Sequence, residues 1–195
     1  MINRLPLLFA LLAASLCSTA SFAQQISEME ETAAAPAVDL QKLDQTYGFQ
    51  DLKFETPVSA VKHLVLVETT GQTKIYRRTT DSKALGNAQV ATLLYFFYKG
   101  KLTSVRLTTK GYTNSRALLD HFTELYGTGF QANEHTEKRS WTGKKVYLGY
   151  EESPLTNDAT VYLWSTKLTN QRRADEQKAA QTVTPSHRTI TLPRR

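Results

Sequence analysis

The residues able to do chemistry in this 195-residue chain are few and dispersed. His121 and Glu124 stand three apart, a spacing that puts both on one side of a helix and could offer two ligands to a metal. No His-Glu-x-x-His run completes such a set, and His63, His135 and His187 fall in other segments, so the histidines read as surface or packing residues and no metal site is expected. Glu151-Glu152 could supply paired carboxylates, but neighbouring strand residues point to opposite faces, and a solvated strand end accounts for them better. No Gly-x-Ser-x-Gly elbow marks a serine nucleophile, and no Gly-rich loop is present to cradle a phosphate. The chain is therefore expected to need no cofactor and not to be an enzyme. An enzyme with a dispersed active site is the competing class, because catalytic geometry need not leave a local signature.

What remains is a surface, and the elements that carry it can be read from pattern. The stretch Gln89 to Lys110 is the densest in strand-forming residues: Val90 and Leu93 to Tyr98 run into Lys99-Gly100, and Leu102, Val105 and Leu107 lead back, the run, turn and run of a β-hairpin. Lys138 to Tyr150 forms a second hairpin, Lys74 to Thr79 a modest strand, and Ala159 to Thr166 the last strand. A helix is expected from Thr56-Pro57 to about Val67, with Val58, Val61 and Leu64 or Val65 on one side. A second, capped by Thr113 or Asn114 and closed by Gly127, puts Ala117, Leu118, Phe122, Leu125 and Tyr126 on one side and pairs Arg116 with Asp120.

Alternation sorts the strand residues between two faces. With Val105, Leu107, Val146, Leu148, Val161 and Leu163 turned toward the helices, Arg106, Tyr147, Tyr162 and Trp164 take the other face. Tyr95 and Phe97 are expected to join them, with Tyr76 and Arg78 available from the first strand. Tyr, Trp and Arg together have the composition of an interface centre. Aromatic residues also favour strands for their own sake, so composition alone does not make the face functional.

The fold expected is α+β, an antiparallel sheet with two helices on one face. Thr56 to Thr109 and Asn114 to Leu168 are of similar length and give the same order, helix followed by three strands, with Thr56-Pro57-Val58 opening the first unit. This tandem order resembles that of β-lactamase inhibitor proteins, and one half resembles the small outer-membrane assembly lipoproteins of the SmpA/OmlA type found in bacteria. The resemblance covers element order from Thr56 to Leu168 and implies a binding role played by a sheet face. Inhibitor proteins of this kind carry disulfides, whereas the only cysteine here is Cys17, and the residue three before it is Ala14 rather than the leucine of a lipidation motif.

The organisation expected along the chain is a signal peptide at 1–23, an acidic disordered linker at 24–46, the α+β domain at 47–168 and a basic disordered tail at 169–195. Arg4, the apolar run Leu5 to Leu16 and the small residues flanking Phe22 make the secretory signal. That run, at about 12 residues, is short of the roughly 20 that span a bilayer, so no transmembrane span is expected in the mature chain. The linker sets Glu28, Glu30, Glu31, Asp39 and Asp44 against Lys42, while the tail sets Arg172, Arg173, Lys178, Arg188, Arg194 and Arg195 against Asp175 and Glu176. Such a tail could rest on an anionic envelope surface.

The function expected is that of an exported, non-enzymatic binding module, periplasmic or extracellular, which engages an envelope protein or itself through the open aromatic face. Glycan or small-ligand binding is the alternative. The same residue types would suit single-stranded nucleic acid, but export argues against that partner.

Overall fold

The computed structural model describes residues 39–182. The secretory segment at 1–23, most of the acidic linker and residues 183–195 lie outside the described residues. The fold is α+β. In chain order its elements are α1 (Leu40–Thr46), β1 (Gly48–Phe49), β2 (Leu52–Lys53), a 3-10 turn (Val58–Ala60), β3 (Leu64–Thr70), β4 (Thr73–Arg78), β5 (Ala84–Leu85), β6 (Ala88–Tyr98), β7 (Lys101–Thr109), α2 (Gly111–Tyr126), β8 (Lys138–Thr142), β9 (Val146–Glu152), β10 (Ala159–Ser165) and α3 (Thr166–Thr182). The main sheet runs β3-β4-β6-β7-β10-β9-β8 with every neighbouring pair antiparallel, and β5 adds a short pairing to β6. Among the described residues no helix is long and apolar enough to cross a membrane.

The hairpin β6–β7 sits at the middle of this order, and its turn explains its register. Lys99 and Gly100 have φ of 48° and 77°, the left-handed pair that a two-residue turn needs if its twist is to match the strands. Phe97 then opposes Leu102, and Phe96 opposes Ser104, leaving Thr103 as an extra residue. Beyond the bulge, Tyr95 opposes Val105 and Leu93 opposes Leu107. Directly paired residues share a face, so Tyr95 and Phe97 turn inward with Val105, Leu107 and Leu102.

One hydrophobic cluster lies on that inner face. Val146, Leu148 and Tyr150 of β9, with Val161 and Leu163 of β10, complete the sheet side, and α1 and α2 close it with Leu43, Leu118, Phe122 and Tyr126. Trp141 is fully buried beneath α2, and its indole N–H donates to the Gly127 carbonyl at 2.8 Å. Burying one such side chain contributes about 1.5–3 kcal/mol, so this face supplies most of the stability of the fold.

Several expectations need correction. The stretch expected as a helix from Thr56 to Val67 makes only the 3-10 turn before becoming β3. Around Pro57 the backbone is engaged by the β6–β7 turn and the start of β7: Glu55 N–H donates to the Leu102 carbonyl, Leu102 N–H to the Thr56 carbonyl, and Val58 N–H to the Gly100 carbonyl. Those pairings hold the segment extended, and the branched side chains of Val65 and Val67 favour a strand. The helix that joins α2 in covering the sheet therefore lies upstream, inside the expected linker, where Asp39 caps it by accepting from Lys42 N–H at 2.8 Å. α2 begins at Gly111 rather than at a cap on Asn114, whose side chain instead takes the Gln89 N–H. Arg116 turns from Asp120 to Glu137 and Glu152, at 3.0 and 3.3 Å. The tail is helical rather than disordered over Thr169–Thr182.

α1 is locked to the sheet by one carboxylate. Asp44 accepts from the backbone N–H groups of Lys144, Lys145 and Val146 at 2.7, 2.8 and 3.0 Å, filling the concavity of the β8–β9 turn. A Cβ on Gly143 would collide with Asp44 Oδ1, so the turn needs glycine for the carboxylate to enter. Asp44→Ala is expected to lower unfolding stability by about 1–2 kcal/mol, since charge-assisted bonds are lost at a partly solvated site. Gly143→Ala should cost a similar amount alone and much less in the Asp44→Ala background. A urea-denaturation double-mutant cycle reads this directly, and strict additivity would contradict the lock.

Candidate functional site

The face turned away from the core cluster is built by register. One row across the sheet places Ile75, Phe96, Ser104, Trp164, Tyr147 and Thr142 side by side; the next places Leu94, Arg106, Tyr162, Gly149 and Ser140. Phe130 extends the second row, because its backbone exchanges two hydrogen bonds with Ser140. A third row, Thr92, Thr108, Thr160, Glu151 and Lys138, is polar, and its outer members form an ion pair at 2.6 Å. The apolar rows thus have a hydrophilic border along one side.

Arg106, Tyr147, Tyr162 and Trp164 occupy this face as expected from their parity, and the structure brings them together on three adjacent strands. Tyr147 and Trp164 are stacked, with centroids 4.1 Å apart and planes at 16°. Tyr162 is 40% exposed and Phe130 is 68% exposed, and both project beside that stack. The Arg106 guanidinium lies 5.4 Å from the Phe96 ring centroid, a cation–π distance, and no carboxylate among the described residues pairs with it.

Tyr95 and Phe97 are not part of this face. They are 0% and 1% exposed in the core, and the face carries Leu94 and Phe96 in their place. The run Leu93 to Tyr98 is apolar throughout, so its composition could not reveal which residues turn inward; only the pairing with Val105 settles it. Tyr76 opposes Tyr95 and packs edge-on against Phe97, which places it inward too. Arg78 is tied to Asp51 and Asp81 instead of facing a partner. Ile75 is the residue of β4 that reaches the open face.

One end of the face is covered by α3, which no pattern in a polar, basic segment had suggested. Leu168, Arg172 and Asp175 recur at four and three residues and so share one side of that helix. Leu168 is buried, Arg172 lines a hollow of about 260 Å³ with Phe96, Arg106, Tyr162 and Trp164, and Asp175 accepts from Tyr98 and Lys99, both at 2.7 Å. At the helix start, Lys167 pairs with Glu55 at 3.0 Å, and Glu55 also accepts from the Tyr47 hydroxyl at 2.8 Å. On the other side of the Tyr162–Trp164 ridge lies a second hollow, of about 460 Å³, bounded by Phe130, Arg139, Tyr147 and Glu151. The ridge therefore stands between two depressions, one roofed at its end by this chain's own helix.

Three of the ionisable groups that depart from ordinary behaviour are shifted by packing. Burial pushes the Tyr95 phenol up inside the core, and it pushes up that of Tyr150, which donates to Glu152 and to the Ser115 carbonyl. Burial likewise lowers His121, which packs against Gly86 and Phe122. Among the described residues no group of three or more His, Cys, Asp or Glu gathers as a metal site would require. What the face can do chemically is bury aromatic area and offer a guanidinium to an acceptor.

Compared with protein-family models, with curated proteins and with solved structures, the chain matches none of them.

Donors from Lys99 and then Tyr98 hold the Asp175 carboxyl below its ordinary value of 3.8, and those from Lys167 and then Tyr47 hold Glu55 below 4.5. A depressed carboxyl stabilises the folded arrangement above its unfolded value, and the contribution is lost as pH falls through the folded one. Hydrogen exchange over Thr166–Thr182, corrected for intrinsic rates, should therefore rise in acid below about pH 4 while the β6–β7 amides stay protected. Asp175→Asn should raise it already at neutral pH. Equal protection of α3 in both proteins at all pH values would rule out the tie.

Proposed function

We propose that this chain is an exported, non-enzymatic binding module that engages a protein of the envelope through the open face bearing Phe96, Arg106, Tyr147, Tyr162 and Trp164. The observation that carries the reading is the contiguity of these side chains. Register puts three rings and a guanidinium with no acidic partner among the described residues on β7, β9 and β10, with Phe96 beside them on β6. Rings of this kind bury large area with few rotatable bonds, and such residues dominate protein interfaces. The two hollows flanking the ridge, of about 260 and 460 Å³, give a relief that suits a partner's protruding side chains. Export enters the proposal through the Arg4, Leu5–Leu16 and Ala23 pattern at the N-terminus.

The face serves this role only if its rings carry binding energy. Trp164→Ala and Tyr162→Ala together, in a protein whose circular dichroism and thermal unfolding show an intact fold, should weaken capture of an envelope partner by at least about tenfold, the loss of one strong contact. Arg106→Ala should weaken the same complex with a smaller salt dependence than the parent. A folded double variant that holds the partner as tightly as the parent would remove the open face from the function.

A further inference from the structure

The hollows on either side of the Tyr162–Trp164 ridge differ in charge. The larger, of about 460 Å³, is bounded by cations that this chain already engages: Lys138 pairs with Glu151 at 2.6 Å, and the Arg139 guanidinium donates to the Thr128 carbonyl at 3.3 Å. The smaller, of about 260 Å³, lies between the ridge and α3. Arg106 of β7 and Arg172 of α3 both line it, with Phe96, Ser104, Tyr162 and Trp164, and no acidic side chain is among the residues that bound it. Arg106 has no carboxylate among the described residues. The acid beside Arg172 is Glu176, one helical turn on, at 3.4 Å and with its side chain 59% exposed. Two guanidiniums therefore face one hollow whose lining carries no opposite charge.

We propose that this hollow is the seat of one carboxylate, and that its occupant is an acidic side chain of the protein partner; the inference rests on the open-face reading and adds what that partner must bring. Charge complementarity selects the occupant. Two like charges at one site repel, and an anion set between them replaces that repulsion with two attractions. A carboxylate has an oxygen for each guanidinium, and charge-assisted bonds of this kind are the strong ones. Size selects the bearer. Pockets that take whole small molecules run to about 300–1,000 Å³, so a hollow of about 260 Å³ that opens onto the ridge suits one side chain better than a free ligand. The rings of Phe96 and Trp164 offer apolar walls to the stem of that side chain, and Ser104 adds a hydroxyl to the lining.

α3 then supplies half of the site as well as a cover. Arg172 is placed by the ties on either side of it, Lys167 to Glu55 and Asp175 to Lys99 and Tyr98. An acid seated between β7 and α3 binds only the arrangement in which those ties hold, and so stabilises the helix against the sheet.

Two peptides that differ only in one charge test the seat: acetyl-Leu-Glu-Leu-amide and acetyl-Leu-Gln-Leu-amide. In the isotope-labelled full chain the indole N–H of Trp164 reports the site by NMR, while that of Trp141, buried in the core, serves as internal reference. The Glu peptide should bind at least about tenfold more tightly than the Gln peptide. Arg106→Gln and Arg172→Gln should each bring the two peptides level, whereas Arg173→Gln, which removes the same charge from an exposed neighbour on α3, should leave the difference in place. Propanoate, an acid without the peptide, should bind more weakly than the Glu peptide. Peptides that bind alike, or not at all at millimolar concentration, would overturn the seat. So would a preference that survives the loss of either lining arginine, or one that is lost with Arg173. Propanoate as tight as the Glu peptide would make the occupant a free organic acid and overturn the choice of a partner side chain. Partner capture that depends on Tyr162 and Trp164 while the two peptides bind alike would remove the seat and leave the open face standing.

Discussion

Cross-strand register in β6, β7 and β10 is the constraint on which the rest of this structure depends. In an antiparallel pair the two residues opposite one another share a face, so a single pairing, Tyr95 with Val105, commits a whole strand. Its consequence runs through Leu107 and Val161 into the core and through Arg106 and Tyr162 onto the open side. The left-handed turn at Lys99-Gly100 and the extra residue Thr103 are what set that register. With an ordinary turn at that point, the strands would splay and the alternation would fall out of step. The core and the candidate interface are thus two readings of the same hydrogen-bond ladder, and a change that slips one exposes the other.

The helices divide along the same line. α1 and α2 are held by apolar burial, and α1 has in addition the Asp44 lock on the β8–β9 turn. α3 offers little apolar surface: Leu168 is buried, while the rest of its length is rich in Arg, Gln, Lys and Ala. A helix that is polar all round gains little from packing and depends on a few specific ties. Those ties are Lys167 with Glu55 and Asp175 with Tyr98 and Lys99, all near the surface, where ion pairs contribute modestly. The part of the open face beside Arg172 is therefore covered by the element least strongly held, and the rings beyond it, at Tyr147, Tyr162 and Phe130, are not covered by it at all.

How much of this could be read from the sequence follows from what each signal encodes. Strict alternation in Val146 to Tyr150 and Val161 to Trp164 indicates the facing of β9 and β10, because aliphatic Val and Leu alternate there with Tyr, Gly and Trp. The run Leu93 to Tyr98 is apolar on both faces, so its parity is set only by the partner strand, which turns Tyr95 and Phe97 inward rather than onto the open face. The segment after Pro57 carries a helical spacing of valines and a strand propensity at once; bonds to Gly100 and Leu102, more than forty residues away, decided between them. The same non-locality hid α3 and Phe130. A basic, glutamine-rich stretch shows nothing of its own, and its meaning appears only when Asp175 meets Tyr98 and Lys99 across the fold.

Arg106 on the open face is held differently from Arg78 and Arg116 on the covered side. On the covered side and at its margins, Arg78 has Asp51 and Asp81, and Arg116 has Glu137 and Glu152. Such groups are already satisfied and offer nothing to a newcomer. Among the described residues Arg106 stands over Phe96 without an acid, and while water reaches it that arrangement costs little. Covering it changes the balance, because a guanidinium removed from water without an acceptor is destabilised by several kcal/mol. Any partner that closes over Tyr162 and Trp164 must also shield Arg106, since register seats it directly opposite Tyr162. A purely apolar surface would therefore gain from the rings and lose at the arginine, whereas one carrying a carboxylate at the matching point would gain at both. On the open-face reading, the rings supply affinity and Arg106 supplies the discrimination, by penalising every partner that does not bring an acid to it.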